Sequence, residues 1–420
     1  MNSFNSLNKF AFSSLIALAC TTAACTGATS NDDGEDLTGA STDAITDVNH
    51  SAVKRQSIGN CWIYATASWA ESLNKSASPT DTAKNLSESY WTYWHWFEQI
   101  ANSRTSEVST GGSYDTAVAL ITRYGMMNEA DFIPEEAEVE MSARQASALK
   151  AINLSLKSGA LRFAIMRRNR ALVRSEMDKA WGLSPAVTAQ LDTAFGSNVA
   201  RTLDRSASNA GTKILKSSEL AVKLVDPTTH APVDAKLSDA IGSVGGFGGH
   251  AGRLAWNTVS YGSDSTSRRT FLKRVQKALA DKQPVVMSWF VDFNSLDSEG
   301  RFFAPAATPG RQGGHMVVLE DYQISNVPGF GTLKAGELAT TDQLTAALDD
   351  SAKFEFIRVK NSWGNYRSDR AFVTPGYHDL YMAYLNGPVK QCDTDADENP
   401  NLNSCWDTTP LEDVVLPAGY

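Results

Sequence analysis

The sequence predicts an α+β protein of two lobes, helical in front and sheet-like behind. Three observations carry this. Stretches of helical period fill the chain to about residue 220, several of them apolar on most sides. Short runs of β-branched and aromatic residues then take over at Pro284–Phe290, Met316–Tyr322, Phe354–Lys360 and Leu380–Leu385. The 420 residues, 42% hydrophobic and 20% charged, hold enough apolar material for two packed units.

Residues 1–25 read as an export signal: a polar start with Lys9, an apolar run from Phe10 to Cys20, then small residues. Ala23-Ala24-Cys25 and Leu18-Ala19-Cys20 resemble bacterial lipoprotein cleavage sites, so two expectations stand for the exported chain: an outer-membrane or cell-surface lipoprotein anchored through an N-terminal lipid, or plain secretion. Residues 26–50, with Asp32, Asp33, Glu35 and Asp36, form an acidic linker. The segment 51–134 is a helical lobe. It contains a buried helix over Trp62–Lys75, an aromatic helix from about Leu86 to Ala101, a break at Gly111-Gly112, and a helix over Tyr114–Tyr124. Residues 135–265 are expected to be a mainly helical insertion, with a basic helix face at Arg162, Arg167, Arg168, Arg170 and Arg174 facing solvent. Residues 266–390 open with an amphipathic helix at Phe271–Ala280 and continue as the β-rich lobe. Within it, 325–352 is expected to decorate the surface. Residues 391–420 are a disulfide loop and tail.

The net charge of −9 excludes broad nucleic-acid binding, since a phosphate backbone would repel the chain. No stretch beyond residue 25 approaches the roughly 20 apolar residues of a membrane span. Of five cysteines, Cys20 and Cys25 lie in the signal, and Cys392 and Cys405 close a short loop suited to a disulfide in an oxidising compartment. Cys61 is left over. It stands at the start of an apolar helix, behind the turn and capping residues Ser57-Ile58-Gly59-Asn60, where the helix dipole stabilises a thiolate.

A nucleophilic thiol needs a partner base and something to orient that base. Among six histidines, His315 follows Gly313-Gly314 and opens a strand that would hold it rigidly. His250 also follows two glycines but lacks the strand, and His50, His95, His230 and His378 have no such setting. Arg358-Val359-Lys360-Asn361-Ser362-Trp363-Gly364 ends another strand. The Asn361 carbonyl can fix the imidazole tautomer, and Trp363 can cover that bond from water.

Gln56-Ser57-Ile58-Gly59-Asn60-Cys61-Trp62, Gly313-Gly314-His315 and Asn361-Ser362-Trp363-Gly364, in that order, resemble the papain-like cysteine peptidases. Leu86-Ser87-Glu88-Ser89-Tyr90 and Gly111-Gly112 agree. Tyr90-Trp91-Thr92-Tyr93-Trp94-His95-Trp96, with Phe97-Glu98, looks nearest to the bleomycin hydrolase and aminopeptidase C branch. The resemblance implies a papain-like two-lobe fold acting on a peptide or protein substrate, with no cofactor. It implies Cys61 as nucleophile, His315 as acid/base, Asn361 as orienter and Gln56 as oxyanion donor with the Cys61 N–H. Gly111 and Gly112 would bind substrate backbone beside Trp363. Gln56 stands one residue nearer the cysteine than the family spacing, which leaves Arg55 as the other occupant of that slot.

Other readings are an inactive peptide-binding module on the same fold, and acyl or glutamyl transfer through the same thiol. Gly246–Ala251 echoes a dinucleotide fingerprint without a preceding strand, so no nucleotide is expected. Asp393, Asp395, Asp397 and Asn399 alternate like calcium ligands, but the loop lacks the glycine and closing glutamate of a calcium hand. A solvated acidic turn and no metal are expected.

Overall fold

The computed structural model describes residues 48–78, 83–102, 105–203, 211–244, 250–365, 374–394 and 399–420. The signal, most of the acidic linker, Gly246–Gly249, Asp395 and Asp397 lie outside them. The architecture is α+β, as the sequence predicts.

The front lobe is built on α1 (Cys61–Ala77), α2 (Glu88–Asn102) and α3 (Tyr114–Tyr124), followed by the single-turn α4 (Glu129–Phe132). Helix α2 is aromatic on every side because it lies at the centre of this lobe. Tyr90, Trp91, Tyr93, Trp94, Trp96 and Phe97 have no solvent exposure. Two of them bond the chain reversal after α3: Tyr90 Oη donates to Tyr124 O, and Trp91 Nε1 donates to Gly125 O at 2.9 Å. Gly125 has φ +68°, a backbone conformation that favours glycine. Helices α5 (Ala143–Lys157), α6 (Ala164–Arg167), α7 (Arg170–Trp181) and α8 (Pro185–Phe195) pack around α2, chiefly through α7.

The mainly helical run ends there, short of the 265 expected, and strands with one short helix among them follow. Strands β1 (Ala221–Val225) and β2 (Pro232–Lys236) form a hairpin whose first strand rests on α1. Then come α9 (Leu237–Ile241), the short pair β3 (Ser243–Val244) and β4 (His250–Ala251), and β5 (Asn257–Ser260). The apolar alternation of Ala221–Val225 is a period of two, which the helix-rich composition around it masks.

The rear lobe carries α10 (Ser265–Ala280), capped by Asp264, and then the strands β6 (Val286–Asp292), β7 (Arg301–Phe302), β8 (Gln312–Val327) and β9 (Gly331–Leu333). After α11 (Thr341–Ala346) come β10 (Lys353–Lys360), β11 (Tyr377–Tyr381) and α12 (Met382–Leu385). Strands β12 (Val389–Thr394), β13 (Pro400–Thr408) and β14 (Leu411–Leu416) end the series. The main sheet runs β5-β14-β6-β8-β10-β11-β7, with β9 on β8; only β11–β7 is parallel. The 325–352 segment is less peripheral than expected, because β8 runs on to Val327 and β9 buries Leu333 against it.

The tail is corrected most. Cys392 and Cys405 do form a disulfide, across the β12–β13 hairpin. Beyond it, β14 sits inside the sheet between β5 and β6, with Val414, Val415 and Leu416 buried. Leu411-Glu-Asp-Val-Val-Leu is too short for its period to stand out, so only its long-range pairing reveals a strand.

Alternation along β8 and β14 divides the two cores. Met316, Val318 and Val415 join the cluster around α1, while Val317, Leu319, Val414 and Leu416 join the cluster under α10. Helix α1 is thereby held between lobes, and its Trp62, Ile63, Ala67, Trp69, Ala70 and Leu73 are buried.

A polar cluster pins the start of this helix. Lys54 Nζ lies 2.9 Å from Glu88 Oε1, 3.2 Å from Glu129 Oε1 and 3.7 Å from Glu71 Oε1. Burial alone would lower the Lys54 pKa, but Glu88, Glu71 and Glu129 outweigh it and hold it well above a normal lysine. Burial, with the two other carboxylates, raises Glu88 well above the usual range. Removing the central cation would strand buried carboxylates. Lys54→Met should therefore cost about 3–5 kcal/mol in urea unfolding at neutral pH. The loss should shrink as acidification lets the carboxylates take up protons.

Candidate active site

Cys61 is the first residue of α1 and is buried. Asn60 precedes it in the cap position but does not cap. Its Nδ2 donates instead to Thr92 Oγ1 at 3.0 Å and Gln145 Oε1 at 2.9 Å, so no side chain caps the first turn. The positive end of the helix dipole is left directed at the cysteine.

The segment leading to Cys61 is stitched to the segment after β10. Gln56 N donates to Ser362 O at 2.9 Å, Gly364 N donates to Lys54 O at 3.3 Å, and Arg55 bridges Trp363. Ser362 Oγ donates to Gln56 Oε1, and Gln56 Nε2 donates to Ile58 O at 2.8 Å. Gln56 is 2% exposed, whereas the Arg55 side chain is directed at Gly364, so the glutamine occupies the interior slot. Gln56 is thus held at both ends of its side-chain amide, between Ser362 and Ile58.

His315 lies on β8 opposite Trp289 of β6, and Asn361 stands immediately beyond β10. His315 Nε2 is 2.7 Å from Asn361 Oδ1. The amide orientation is set independently, because Ser362 N donates to the same Oδ1 at 2.7 Å. Oδ1 therefore faces the ring as an acceptor, His315 Nε2 carries a hydrogen, and Nδ1 is the nitrogen that takes up a proton. Trp363 stacks on the imidazole, ring centres 4.7 Å apart at 23°, and shields the bond from water. A cavity of about 10 Å³ is lined by Ala65, one turn beyond Cys61, together with Met316, Asn361 and Ser362. Helix α1 packs on β8 around this cavity, whose lining includes neither Cys61 nor His315. Beside His315, a Cβ built on Gly314 would meet nothing within 4 Å, so the backbone there faces open space.

Gly111 and Gly112 line the same region from the front lobe. Trp62 Nε1 donates to Thr110 O at 2.8 Å, and a Cβ on Gly112 would stand 2.5 Å from Trp62 Cε2. Only glycine lets the backbone lie flat on that indole.

Sequence reasoning passed over His95, which lies against this extended segment. Its ring packs edge-on to Trp62, centres 4.9 Å apart. Gln99 donates to Ser109 O and accepts from Ser109 N, both at 2.8 Å, which fixes its amide. His95 Nε2 lies 2.7 Å from Gln99 Nε2 and 3.2 Å from Gly111 O. The i,i+4 spacing of His95 and Gln99 on α2 was the available signal. Lys360 also went unremarked. It is buried behind Asn361, and its Nζ donates to Ser51 Oγ and Ser68 Oγ at 3.0 and 2.9 Å; burial lowers its pKa to about 8.

The other histidines are placed elsewhere. His50 Nε2 lies 3.0 Å from Glu320 Oε2, His250 Nε2 lies 2.9 Å from Asp115 Oδ1, and His378 Nδ1 lies 2.7 Å from Gly300 O. His230 meets Tyr420, which also bonds Asp281, while Arg274 donates to Tyr420 O. Tyr420 is therefore fixed against α10 and the β1–β2 hairpin rather than in the crevice.

No protein-family model matches this chain, and no curated protein does. Solved structures similar to it include PepW from Lactobacillus rhamnosis, at 13% identity over 89% of this chain and 81% of that one, with a TM-score of 0.42. Xylellain, a cysteine protease from Xylella fastidiosa, is 13% identical over 94% of this chain and 96% of that one, TM-score 0.35. Digestive procathepsin L 3 from Tenebrio molitor larval midgut is 13% identical over 94% and 75%, TM-score 0.33. These are partial overlaps of shape and assign no residue.

Burial lowers the His95 pKa from 6.5 to about 4. The unfolded chain takes up a proton near 6.5 and the folded chain only near 4. The contribution to stability is thus complete above the first value and is lost as the pH falls toward the second. Denaturation measured across this interval should show His95→Gln with a flatter pH dependence than the parent, by roughly 3 kcal/mol at most.

Proposed function

We propose that the chain is an exported, papain-like thiol peptidase. The observation that supports it most is the oriented bond between His315 Nε2 and Asn361 Oδ1, which assigns the proton-accepting role to Nδ1. Near the N-terminus of α1, Cys61 is favoured as a thiolate, and imidazolium is its natural counter-ion.

The thiolate attacks a peptide carbonyl carbon. The negative charge passes to the carbonyl oxygen, for which the Cys61 N–H and the Gln56 side-chain amide are the proposed donors. His315 gives its proton to the leaving amine as the C–N bond breaks, and a thioester remains. His315 then takes a proton from water, whose oxygen attacks the thioester, and the acid product and thiolate are released. Asn361 keeps the ring in register throughout, and Gly111-Gly112 offers bare backbone for an extended substrate.

The aromatic motif that suggests the bleomycin hydrolase branch is buried core, so it speaks to packing rather than to specificity. The Cys392–Cys405 disulfide favours an oxidising compartment, in agreement with the export signal and with anchoring through Cys20 or Cys25.

Alkylation and turnover test this reading. At pH 6, iodoacetamide should label Cys61 faster than a free model thiol, and His315→Ala should remove the advantage. Cys61→Ser or His315→Ala should lower hydrolysis of a mixed peptide library by at least about 1000-fold while leaving the melting temperature unchanged. Gln56→Ala should cost roughly 100- to 1000-fold in kcat. Undiminished hydrolysis in Cys61→Ser would overturn the assignment, and peptide binding without turnover in the parent would leave only the binding module.

A further inference from the structure

Residues 150–170 contain six lysines and arginines and no aspartate or glutamate, in a chain whose net charge is −9. The expectation of one basic helix face in solvent fails for three of its five arginines. Arg174 is buried against the aromatic core, bonded to Asp178 Oδ1 at 2.8 Å. Arg167 is buried and donates to Leu161 O at 2.9 Å. Arg170 turns back toward α2, with its guanidinium 4.8 Å from the Phe97 ring centre. Lys150, Lys157, Arg162 and Arg168 remain exposed.

Of these inward arginines, Arg167 braces an apolar tip. Leu161 is fully buried at the base of the α5–α6 turn, and the Arg167 bond to its carbonyl holds the turn closed. The residues between them are thrust outward: Phe163 is 52% exposed, Ile165 63% and Met166 43%. Leu154, in the α5 turn whose carbonyl accepts from Gly159 N, is 62% exposed. The Arg162 guanidinium stands over the Phe163 ring at 4.4 Å, a geometry that lets charge ride above an inserted apolar group.

We infer that this tip docks onto an anionic phospholipid bilayer, with Phe163, Ile165 and Met166 entering the interface and Arg162 and Arg168 meeting the headgroups. Charge complementarity selects this occupant. The rest of the acidic chain is repelled by such a surface, and the basic collar orients the molecule on it. Shape agrees. A single protruding turn offers a few hundred Å² at most, well below the roughly 1,000 Å² a stable protein interface needs, yet it suits shallow insertion among headgroups. The inference is independent of the peptidase reading and of any lipid on the N-terminus.

The test uses the full chain carrying Cys20→Ser and Cys25→Ser, so that no acyl chain on either cysteine contributes. Co-sedimentation with phosphatidylglycerol-rich vesicles should be at least about tenfold tighter than with phosphatidylcholine vesicles, and the difference should fall with added salt. R162E/R168E should abolish the difference. F163S/I165S/M166S, at unchanged charge, should weaken binding to the anionic vesicles about tenfold or more. Both variants should melt as the parent does, since these residues are exposed. Equal binding to the two vesicle types, or anionic binding unchanged in both variants, would overturn the proposal. So would conversion of a parent dimer to a monomer by the serine variant, because a second copy would then be the occupant.

Discussion

The cross-lobe stitch between residues 54–56 and 362–364 is the constraint on which the candidate site rests. Cys61 and Asn361 are 300 residues apart in sequence, and each belongs to an element anchored in a different core. What registers them is a short run of backbone pairing: Gln56 N to Ser362 O, Gly364 N to Lys54 O, and the Arg55–Trp363 bridge. Each such bond is worth only about 1 kcal/mol net, too little to bring two lobes together. The burial of α1 against Met316, Val318 and Val415 supplies the attraction, and the stitch decides the alignment. Gly364 shows how tight this alignment is. It has φ +82°, and a Cβ there would stand 2.9 Å from Glu140 Oε1 and 3.1 Å from Arg55 Cδ.

The same stitch links orientation across the crevice. Ser362 has both of its backbone polar groups in use, its N–H on Asn361 Oδ1 and its carbonyl on Gln56 N, while its hydroxyl holds Gln56 Oε1. One residue therefore sets both the Asn361 amide that orients His315 and the Gln56 amide. Lys54 and Lys360 sit behind this line, so a polar, charged layer lies between two apolar cores. Such a layer adds little to stability relative to an apolar one, but it penalises any slip of one lobe on the other by leaving buried charges without partners.

Local pattern carried some of this into the sequence and lost the rest. Helix α1, strands β6, β8 and β10, and the residues Gln56, Cys61, His315 and Asn361 were legible because each lies in a short stretch with its own period or turn chemistry. Strand β14 was not, since its six residues become a strand only by pairing with β5 and β6 from far upstream. His95 was discounted because nothing adjacent to it looked like a catalytic setting. Its role comes from Gly111 and Trp62, brought to it by folding. Asn60 was read as a helix cap from its position, yet its side chain serves Thr92 and Gln145 instead. The propensity was right about the place and wrong about the partner.

The arginine-rich stretch fails in a way that says most about reading charge from sequence. Five arginines within 13 residues suggest a solvated face, because an isolated guanidinium is costly to bury. The cost is offset here by what the helical lobe already contains. Asp178, backbone carbonyls and the electron-rich faces of Phe97 and Trp94 give the planar guanidinium groups acceptors and π-faces to meet. Once Arg167, Arg170 and Arg174 turn inward, the surface charge falls on fewer residues than the composition implies. The turn that Arg167 braces exposes Phe163, Ile165 and Met166, which no amphipathic period would have placed in solvent. The buried arginines and the exposed apolar tip are thus two sides of one arrangement, in which cations used as packing material leave hydrophobic residues on the outside.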